Sequence, residues 1–275
     1  MDIVLQAVVM GIVQGLTEFL PISSSGHLIL VPWLAGWDDA FIRSLSFSVM
    51  LHVASLGALL AYFAADWRRL VPAGLAALRD RSFADDPDRR LAWLLAATTV
   101  PASVAGVLLN DPIERTVRQP GLVAIMLVVG GAILWLAERH GRQRRPMEAL
   151  SFPAAFGIGF AQALALVPGI SRSGISIAAG LAAGLEREAA ARFSFLMATP
   201  IIAGAGAFEA RQLLAGAGDA AVAPGPLVAG MLAAFLSAIA AIHVLLRFLR
   251  RHRTDVFVAY RVGLAVIVVV VFLGR

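Results

Sequence analysis

The sequence contains neither cysteine nor lysine, and each absence excludes a kind of chemistry. Without cysteine the chain can form neither disulfides nor thiolate metal sites. All 23 basic residues are arginines, so lysine-dependent chemistry such as a Walker-type phosphate loop is excluded. Charged residues make up only 15% of the chain. The arginines do not cluster on a soluble face, so no nucleic-acid partner is expected.

The residues that are present suit a lipid environment. Hydrophobic residues account for 59% of the sequence, and its mean hydropathy is +0.81. These values are typical of polytopic membrane proteins. We therefore predict an all-α polytopic protein that forms a single membrane domain over residues 1–275, with the bilayer around it. Six segments are long enough to span: about 44–65, 90–109, 120–138, 193–213, 226–247 and 256–273.

Two further apolar segments, about 3–37 and 152–184, are interrupted near their centres by polar residues. We predict that each forms a re-entrant helix–loop–helix hairpin, because non-helical backbone at membrane depth is tolerated only inside protein or beside water. The two interruptions resemble each other. When residues 11–27 are shifted by 148 positions, Gly, Gln, Leu, Ile, Ser, Ser and Gly coincide with residues of 159–174. Repeated interruptions of this kind indicate a binding site near the bilayer midplane.

The arginines predict the orientation of the chain. Sixteen of them fall on one side of the predicted spans, six of these in a loop predicted at 66–90, and the positive-inside rule makes that side cytoplasmic. On the other side lie Arg43, Arg115, Arg118, Arg211 and Arg275. The first hairpin then enters from the outside and the second from the cytoplasm. The halves, about 1–140 and 150–275, would form an inverted repeat whose polar tips meet inside the bilayer.

The first interruption is preceded by Gln14 and Glu18, which are four residues apart and so share a helix face. A carboxylate inside a membrane segment is a functional candidate by default. Glu18, with Gln14, could bind a hard divalent cation such as Mg²⁺ or Ca²⁺, or Glu18 could act as a general base. The structural alternative is a buried glutamate kept neutral by a neighbour.

The turn that follows contains Ser23, Ser24, Ser25, Gly26 and His27. The preceding proline ends one helix, a serine caps the next, and Gly26 permits close backbone approach. Ser24 and His27 are three residues apart, and a serine beside a histidine is the minimal form of an activated nucleophile. The structural alternative is an ordinary serine helix cap.

The second interruption contains Arg172, flanked by Ser171, Ser173 and Gly174. An arginine in a membrane segment is costly unless it is paired. Its planar donors match phosphate oxygens, and a helix capped by Ser171 or Ser173 would direct amides at the same anion. The structural alternative is an internal Arg172–Glu18 ion pair that holds the two halves together.

Two other polar residues in the spans are weaker candidates. His52 follows Ser48 by one helical turn, and we expect it to be a buried histidine with satisfied hydrogen bonds rather than a ligand. Arg261 follows Tyr260 at the start of the last span, where we expect it to extend to the interface as an anchor.

These motifs resemble the undecaprenyl-diphosphate phosphatase family, whose members are also known as bacitracin-resistance proteins. The first family signature, an acidic-type motif followed by a Pro and a Ser-rich Gly-His turn, corresponds to residues 14–27. The second, Pro-Gly-x-Ser-Arg-Ser-Gly, corresponds to residues 168–174. The stretch 193–200 and the late Tyr260-Arg261 pair are also similar to the family, so the resemblance covers essentially the whole chain.

The resemblance implies hydrolysis of a long-chain isoprenyl diphosphate, undecaprenyl diphosphate, to undecaprenyl phosphate and inorganic phosphate. It also implies the bacterial inner membrane, a site that opens to the periplasm, and a divalent-cation requirement. Glu18 and Gln14 take the acidic positions, Ser24 and His27 those of the nucleophile and its proton partner, and Arg172 that of the phosphate-binding arginine, with Ser171 and Ser173 beside it. At the first acidic position the family also permits glutamine, and Gln14 is this variant, so the motif keeps one carboxylate, that of Glu18. A homodimer is compatible with the sequence, which does not fix the oligomeric state.

Two rival functions are compatible with parts of the sequence. A transporter or flippase of undecaprenyl phosphate could use the same inverted-repeat site, since re-entrant hairpins are transporter architecture. An enzyme resembling type-2 phosphatidate phosphatases would need a lysine motif and a histidine six residues after the arginine, where this chain has Ala178. The sequence leaves open whether Ser24, His27 or a metal-activated water is the nucleophile.

Overall fold

The computed structural model describes residues 1–83, 86–117, 119–214 and 223–274. Arg118 and Arg275, two of the arginines used to predict the orientation, lie outside these ranges. The described residues form eleven α-helices: α1 (Ile3–Phe19), α2 (Ser24–Ala35), α3 (Leu45–Tyr62), α4 (Ala64–Asp80), α5 (Pro87–Val117), α6 (Pro120–His140), α7 (Phe152–Ala163), α8 (Arg172–Ala182), α9 (Arg187–Leu214), α10 (Pro224–Leu249) and α11 (Asp255–Leu273). Short 3₁₀ turns cover Met147–Ala149 and Leu164–Leu166.

Six of these helices are long and apolar enough to cross a bilayer. The spanning stretches are Leu45–Tyr62, Pro87–Leu109, Pro120–His140, Arg187–Phe208, Pro224–Leu249 and Asp255–Leu273. All six predicted spans are therefore confirmed as helices. Large apolar side chains such as Val107 and Val270 remain exposed on their outer faces, where lipid chains would cover them. The chain is thus an all-helical multi-pass membrane protein.

Each of the two interrupted segments forms a pair of short helices with a non-helical break between them. In the first pair, α1 ends at Phe19 and α2 begins at Ser24. In the second, a 3₁₀ turn follows α7 and α8 begins at Arg172. Both breaks contain a proline, Pro21 or Pro168, whose ring does not fit a helix interior. The predicted breaks are therefore confirmed, and Ser24 and Arg172 each open a helix.

Ser23 and Ser171, which are 148 positions apart, cap these two new helices with the same backbone geometry. Both have a φ of +76°, in the left-handed region that residues with a Cβ rarely adopt. The Ser23 hydroxyl accepts a hydrogen bond from the Gly26 amide (3.3 Å), and the Ser171 hydroxyl accepts one from the Gly174 amide (3.0 Å). Strain of about 1–3 kcal/mol per residue persists only where neighbouring contacts hold the conformation in place.

Glycines allow the first helix of each pair to pack closely against a long helix. A Cβ at Gly11 would lie 2.1 Å from the carbonyl oxygen of Gly230 in α10, and one at Gly159 would lie 2.6 Å from that of Thr98 in α5. Gly11 and Gly159 are also 148 positions apart. Helix α1 therefore packs against a helix from the second half of the chain, whereas α7 packs against one from the first half.

The segment 66–90, which the sequence analysis treats as a loop, contains most of helix α4. Leu70 and Ala77 lie two turns apart on its buried face, and Trp93 Nε1 of α5 donates a hydrogen bond to the Gly74 carbonyl (3.3 Å). The loop assignment was wrong because α4 is an amphipathic surface helix. Its charged residues lower its average hydropathy, whereas only its periodicity reveals the apolar face.

The close packing of α7 on α5 predicts opposite effects of two substitutions in one helix. Gly159→Ala places a methyl group against the Thr98 backbone, so we expect a loss of about 1–3 kcal/mol in unfolding free energy, the usual cost of overpacking. Gly157→Ala, two residues earlier, meets no neighbouring atom within 4 Å and should be neutral or stabilising. Thermal unfolding in detergent would measure both, and equal effects would contradict the predicted difference.

Candidate active site

The carboxylate of Glu18, in the last turn of α1, lies at the centre of the polar residues. Its side chain is only 4% exposed. One oxygen, Oε1, accepts a hydrogen bond from Arg172 Nη2 at 2.5 Å. The other, Oε2, accepts from Ser24 Oγ at 2.6 Å and from Gln14 Nε2 at 3.0 Å, and lies 3.3 Å from His52 Nε2. Four helices, α1, α2, α3 and α8, therefore contribute side chains to one buried carboxylate.

Ser24, the first residue of α2, directs its hydroxyl at Glu18 rather than at His27. His27 lies one turn further into α2, where its Nδ1 donates to the Ser23 carbonyl at 2.7 Å. Its Nε2 is 2.8 Å from the Tyr260 hydroxyl, and the two rings are stacked. Both histidine nitrogens thus have partners other than Ser24. The structure brings Ser24 to a carboxylate acceptor and does not form the expected Ser24–His27 pair.

Arg172, the first residue of α8, forms the Glu18 ion pair that the sequence analysis considered as a structural alternative. Its Nη1 also donates to the Ser194 carbonyl in α9 at 3.3 Å. A guanidinium carries five N–H donors, so most of this donor set forms no hydrogen bond with a described residue. The side chain is 16% exposed. Arg172 can therefore retain Glu18 and still donate to an anion.

His52 has partners at both ring nitrogens, as expected, but one of these partners is the carboxylate of Glu18. Its Nδ1 lies 2.8 Å from the Ser48 carbonyl, which can only accept a hydrogen bond. Its Nε2 lies 3.3 Å from Glu18 Oε2, within ion-pair distance, so a His52 that is protonated on both nitrogens would form an ion pair with an ionised Glu18. The only signal in the sequence was a histidine one turn after Ser48 in an apolar span, and that pattern also fits an ordinary buried histidine.

The serines of the two breaks connect the breaks to each other. Ser23 Oγ accepts from the Gly169 amide at 3.1 Å and lies 3.4 Å from Ser25 Oγ. Ser173 Oγ donates to the Leu20 carbonyl at 2.9 Å and lies 3.2 Å from Ser171 Oγ. These hydroxyls hold the breaks in place. A direct contact between Ser23, Ser25, Gly26, Ser171, Ser173 or Gly174 and a substrate stays a prediction.

Arg261 lies beneath both breaks and is fully buried. Its guanidinium donates to backbone carbonyls of both breaks and of α6: Pro21, Gly169, Ile170, Leu127 and Met126. No carboxylate in the described ranges is within ion-pair distance of it. The expectation of an interface anchor was wrong, because the breaks leave carbonyl groups without helical partners and a buried cation satisfies them.

The donor set near Glu18 fits a divalent cation that is shared with a phosphate ligand. Gln14 Oε1 is buried and has no hydrogen-bond partner in the described part of the chain. This amide oxygen and the carboxylate are the hard ligands that Mg²⁺ and Ca²⁺ prefer. No group of three or more His, Asp or Glu among the described residues could hold a metal by itself. A cation here would therefore need phosphate or water oxygens, which is the usual arrangement for Mg²⁺.

The fold and the site together define a class: all-helical membrane proteins in which a carboxylate, a serine hydroxyl and an arginine meet at two helix starts. The bacitracin resistance protein BacA family matches residues 7–267, and the chain belongs to this family. It is 43% identical to the undecaprenyl-diphosphatase of Desulforudis audaxviator over 98% of both chains. It is 45% identical to those of Rubrobacter xylanophilus, over 98% of both chains, and Geobacter sulfurreducens, over 95% of both.

The buried guanidinium predicts that lysine cannot replace arginine at position 261. A lysine ammonium has three donors at one point and cannot reach carbonyls on two breaks and α6 together. We expect Arg261→Lys to lower the unfolding free energy by about 3 kcal/mol, the cost of leaving buried carbonyls unpaired. Chemical unfolding in detergent would measure it. Arg43→Lys, at an exposed residue that pairs with Asp38, is the control, and similar losses in both variants would refute the prediction.

Proposed function

We propose that this protein hydrolyses undecaprenyl diphosphate to undecaprenyl phosphate and inorganic phosphate, and so recycles the lipid carrier for cell-wall synthesis. The observation that carries the proposal is the 2.6 Å hydrogen bond from Ser24 to Glu18 beside Arg172. These groups provide a nucleophile, a base and a phosphate-binding cation at membrane depth. Relatives that match nearly the whole chain are named for this hydrolysis, which favours it over the flippase.

Ser24 is placed to act as the nucleophile, with Glu18 as its base. The Ser24 oxygen attacks the terminal phosphorus while its proton passes to Glu18 Oε2. The bond from that phosphorus to the bridging oxygen breaks, and undecaprenyl phosphate leaves with the bonding electron pair. The departing phosphate oxygen takes the proton from Glu18, which is then ionised again. In the second step Glu18 accepts a proton from water as the water oxygen bonds to the phosphorus of the serine phosphate. The Ser24 oxygen leaves with the bonding electron pair and takes that proton back from Glu18, and inorganic phosphate is released. His27 has an indirect role. Its hydrogen bond to the Ser23 carbonyl fixes the turn that positions Ser24.

Positive charge surrounds the position that the diphosphate would occupy. Arg172 retains donors for phosphate oxygens while its Nη2 holds Glu18. His52, as an imidazolium, balances the carboxylate from the opposite side. The starts of α2 and α8 add first-turn backbone amides, which favour anions. The transferring phosphoryl group carries negative charge on its oxygens, so this arrangement stabilises it during the reaction.

We infer that Glu18 and Gln14 would hold a divalent cation, Mg²⁺ or Ca²⁺, when the diphosphate is bound. Gln14 Oε1 supports this because it is buried without a hydrogen-bond partner in the described residues. Such a cation would neutralise negative charge on the phosphate oxygens. In the structure Gln14 donates to Glu18 through Nε2, so a cation held by both residues would require the Gln14 amide to turn its oxygen toward the carboxylate.

The proposed topology is an inverted repeat of residues 1–140 and 150–275 with two re-entrant hairpins. Its support is the set of matching features 148 positions apart: Gly11 and Gly159 at close helix contacts, and Ser23 and Ser171 at φ +76°. The arginine distribution, interpreted with the positive-inside rule, supports a site that opens to the periplasmic side of the inner membrane. The prenyl chain would stay in lipid, and a homodimer stays a prediction.

Phosphate release from undecaprenyl diphosphate by the purified full chain in detergent tests the function. We expect Glu18→Gln to lower the rate by roughly 10²–10⁴-fold, the usual contribution of a general base. Ser24→Ala should cost at least as much, and Arg172→Lys about 10²-fold through lost bidentate contact. Addition of a chelator tests the cation requirement.

Ser55→Ala is the matched control for these variants. This buried serine lies one turn beyond His52 and donates only to the Leu51 carbonyl in its own helix, so it should keep wild-type activity. Absence of phosphate release from folded wild-type protein would overturn the proposed function. If Ser24→Ala keeps full activity while Glu18→Gln is inactive, the nucleophile is water and not Ser24.

The His27–Tyr260 hydrogen bond predicts coupled effects on the rate. If His27 only positions the Ser23 turn, His27→Gln and Tyr260→Phe should each lower kcat by about tenfold, and the double variant should lose little more, because both remove one interaction. If His27 accepted the Ser24 proton itself, His27→Gln would match Ser24→Ala and exceed Tyr260→Phe by orders of magnitude. Steady-state phosphate release at saturating substrate distinguishes these outcomes.

A further inference from the structure

We propose that the arginine-rich end of the molecule carries a second anion site, which binds the phosphate headgroup of an anionic phospholipid. A cavity of about 780 Å³ lies where the end of α3, the start of α9 and the end of α10 meet. Its charged lining comprises four arginines and one glutamate: Arg192, Arg247, Arg250, Arg251 and Glu188. The residues around Glu18 are not among the residues that line it.

Two of the four arginines are already neutralised by carboxylates. Arg192 donates to both oxygens of Asp66, at 2.7 and 2.6 Å. Arg250 forms a two-point contact with Glu188, at 2.9 and 2.7 Å. Both acidic residues of this region are therefore committed to other cations. They also fix the walls of the cavity, because each pair connects different helices.

Arg247 and Arg251 provide the surplus positive charge. They lie one helical turn apart at the end of α10, and both are exposed. Within the described ranges neither has a carboxylate at ion-pair distance. Two guanidinium groups one turn apart can hold one phosphate group through several charge-assisted hydrogen bonds. Their free donors thus match an anion that the protein itself does not supply.

The face of α10 that leads to these arginines is apolar and exposed. Leu232, Leu236, Ala240 and Val244 follow one another at four-residue intervals, and Arg247 continues the same face. The stretch from Leu232 to Val244 is about 18 Å long at the helical rise. That length is close to the hydrocarbon thickness of one leaflet, about 15 Å. An acyl chain on this face would place its phosphate at Arg247 and Arg251.

The side wall of the cavity suits the depth of lipid headgroups. Tyr62 of α3 and His243 of α10 contact each other there, with the tyrosine hydroxyl 3.3 Å from Nδ1. Tyrosine is favoured at membrane interfaces because its ring is apolar and its hydroxyl polar. A free phosphate ion would use the arginines but not the apolar face. The combination of the two therefore favours a phospholipid as the occupant.

Native mass spectrometry of the purified full chain in detergent, titrated with dioleoyl phosphatidylglycerol, tests the proposal. We expect Arg247→Gln and Arg251→Gln each to weaken binding roughly fivefold, the effect expected of one arginine near an anionic lipid. The double variant should lose roughly 25-fold, since the two losses add when each arginine contributes separately. Its unfolding temperature should match the wild type, because both side chains are exposed.

The control variant is Arg142→Gln, which removes an exposed arginine at the same end of the molecule but outside the cavity. It should leave the affinity for phosphatidylglycerol within twofold of the wild type. If Arg142→Gln and the double variant lose the same affinity for phosphatidylglycerol, the binding depends on general surface charge, and the proposed site is refuted. Equal affinity for dioleoyl phosphatidylcholine, or displacement of the lipid by millimolar inorganic phosphate, would overturn the choice of an anionic phospholipid.

Discussion

The ion pair between Glu18 and Arg172 is the interaction on which the rest of the site depends. A lone carboxylate at membrane depth would lose its hydration without compensation, and so would a lone guanidinium. Together they satisfy each other, Ser24 and Gln14 donate further hydrogen bonds to the carboxylate, and His52 Nε2 lies 3.3 Å from it. Because Glu18 precedes one break and Arg172 follows the other, the pair can form only when both breaks are in place. The candidate site therefore assembles only when the helices on either side of both breaks have packed together.

A second constraint is the backbone of the breaks themselves. Where a helix stops inside a membrane protein, carbonyl groups lose their helical partners and have no water to replace them. Arg261 supplies donors to carbonyls of both breaks, and Ser173 supplies one to Leu20. The left-handed backbone at Ser23 and Ser171 is held by the same network. The backbone of both breaks is therefore fixed by side-chain hydrogen bonds from residues on several helices.

Much of this arrangement could be predicted from local patterns. The six spans follow from apolar length, and the breaks follow from prolines and serines in otherwise apolar sequence. The Glu18–Arg172 ion pair was one of two hypotheses for Arg172, and the other was phosphate binding. The partner of Ser24 could not be predicted, because Ser24 and His27 are close in sequence whereas Glu18 reaches Ser24 across a turn. His52 and Arg261 needed the tertiary structure, since their roles depend on helices distant in sequence. Helix α4 was missed because its charged residues lower its average hydropathy, whereas only its periodicity reveals its apolar face.

The contacts of Arg261 have a consequence for how the two halves of this chain can diverge. One cation binds the Pro21 carbonyl from the first half and the Gly169 and Ile170 carbonyls from the second. An insertion or deletion in either break would shift its carbonyls relative to a guanidinium that the other break holds still. The lengths of the two breaks can therefore change only together. Substitutions are tolerated better on the outer faces of the spanning helices, where one apolar residue can replace another in contact with lipid.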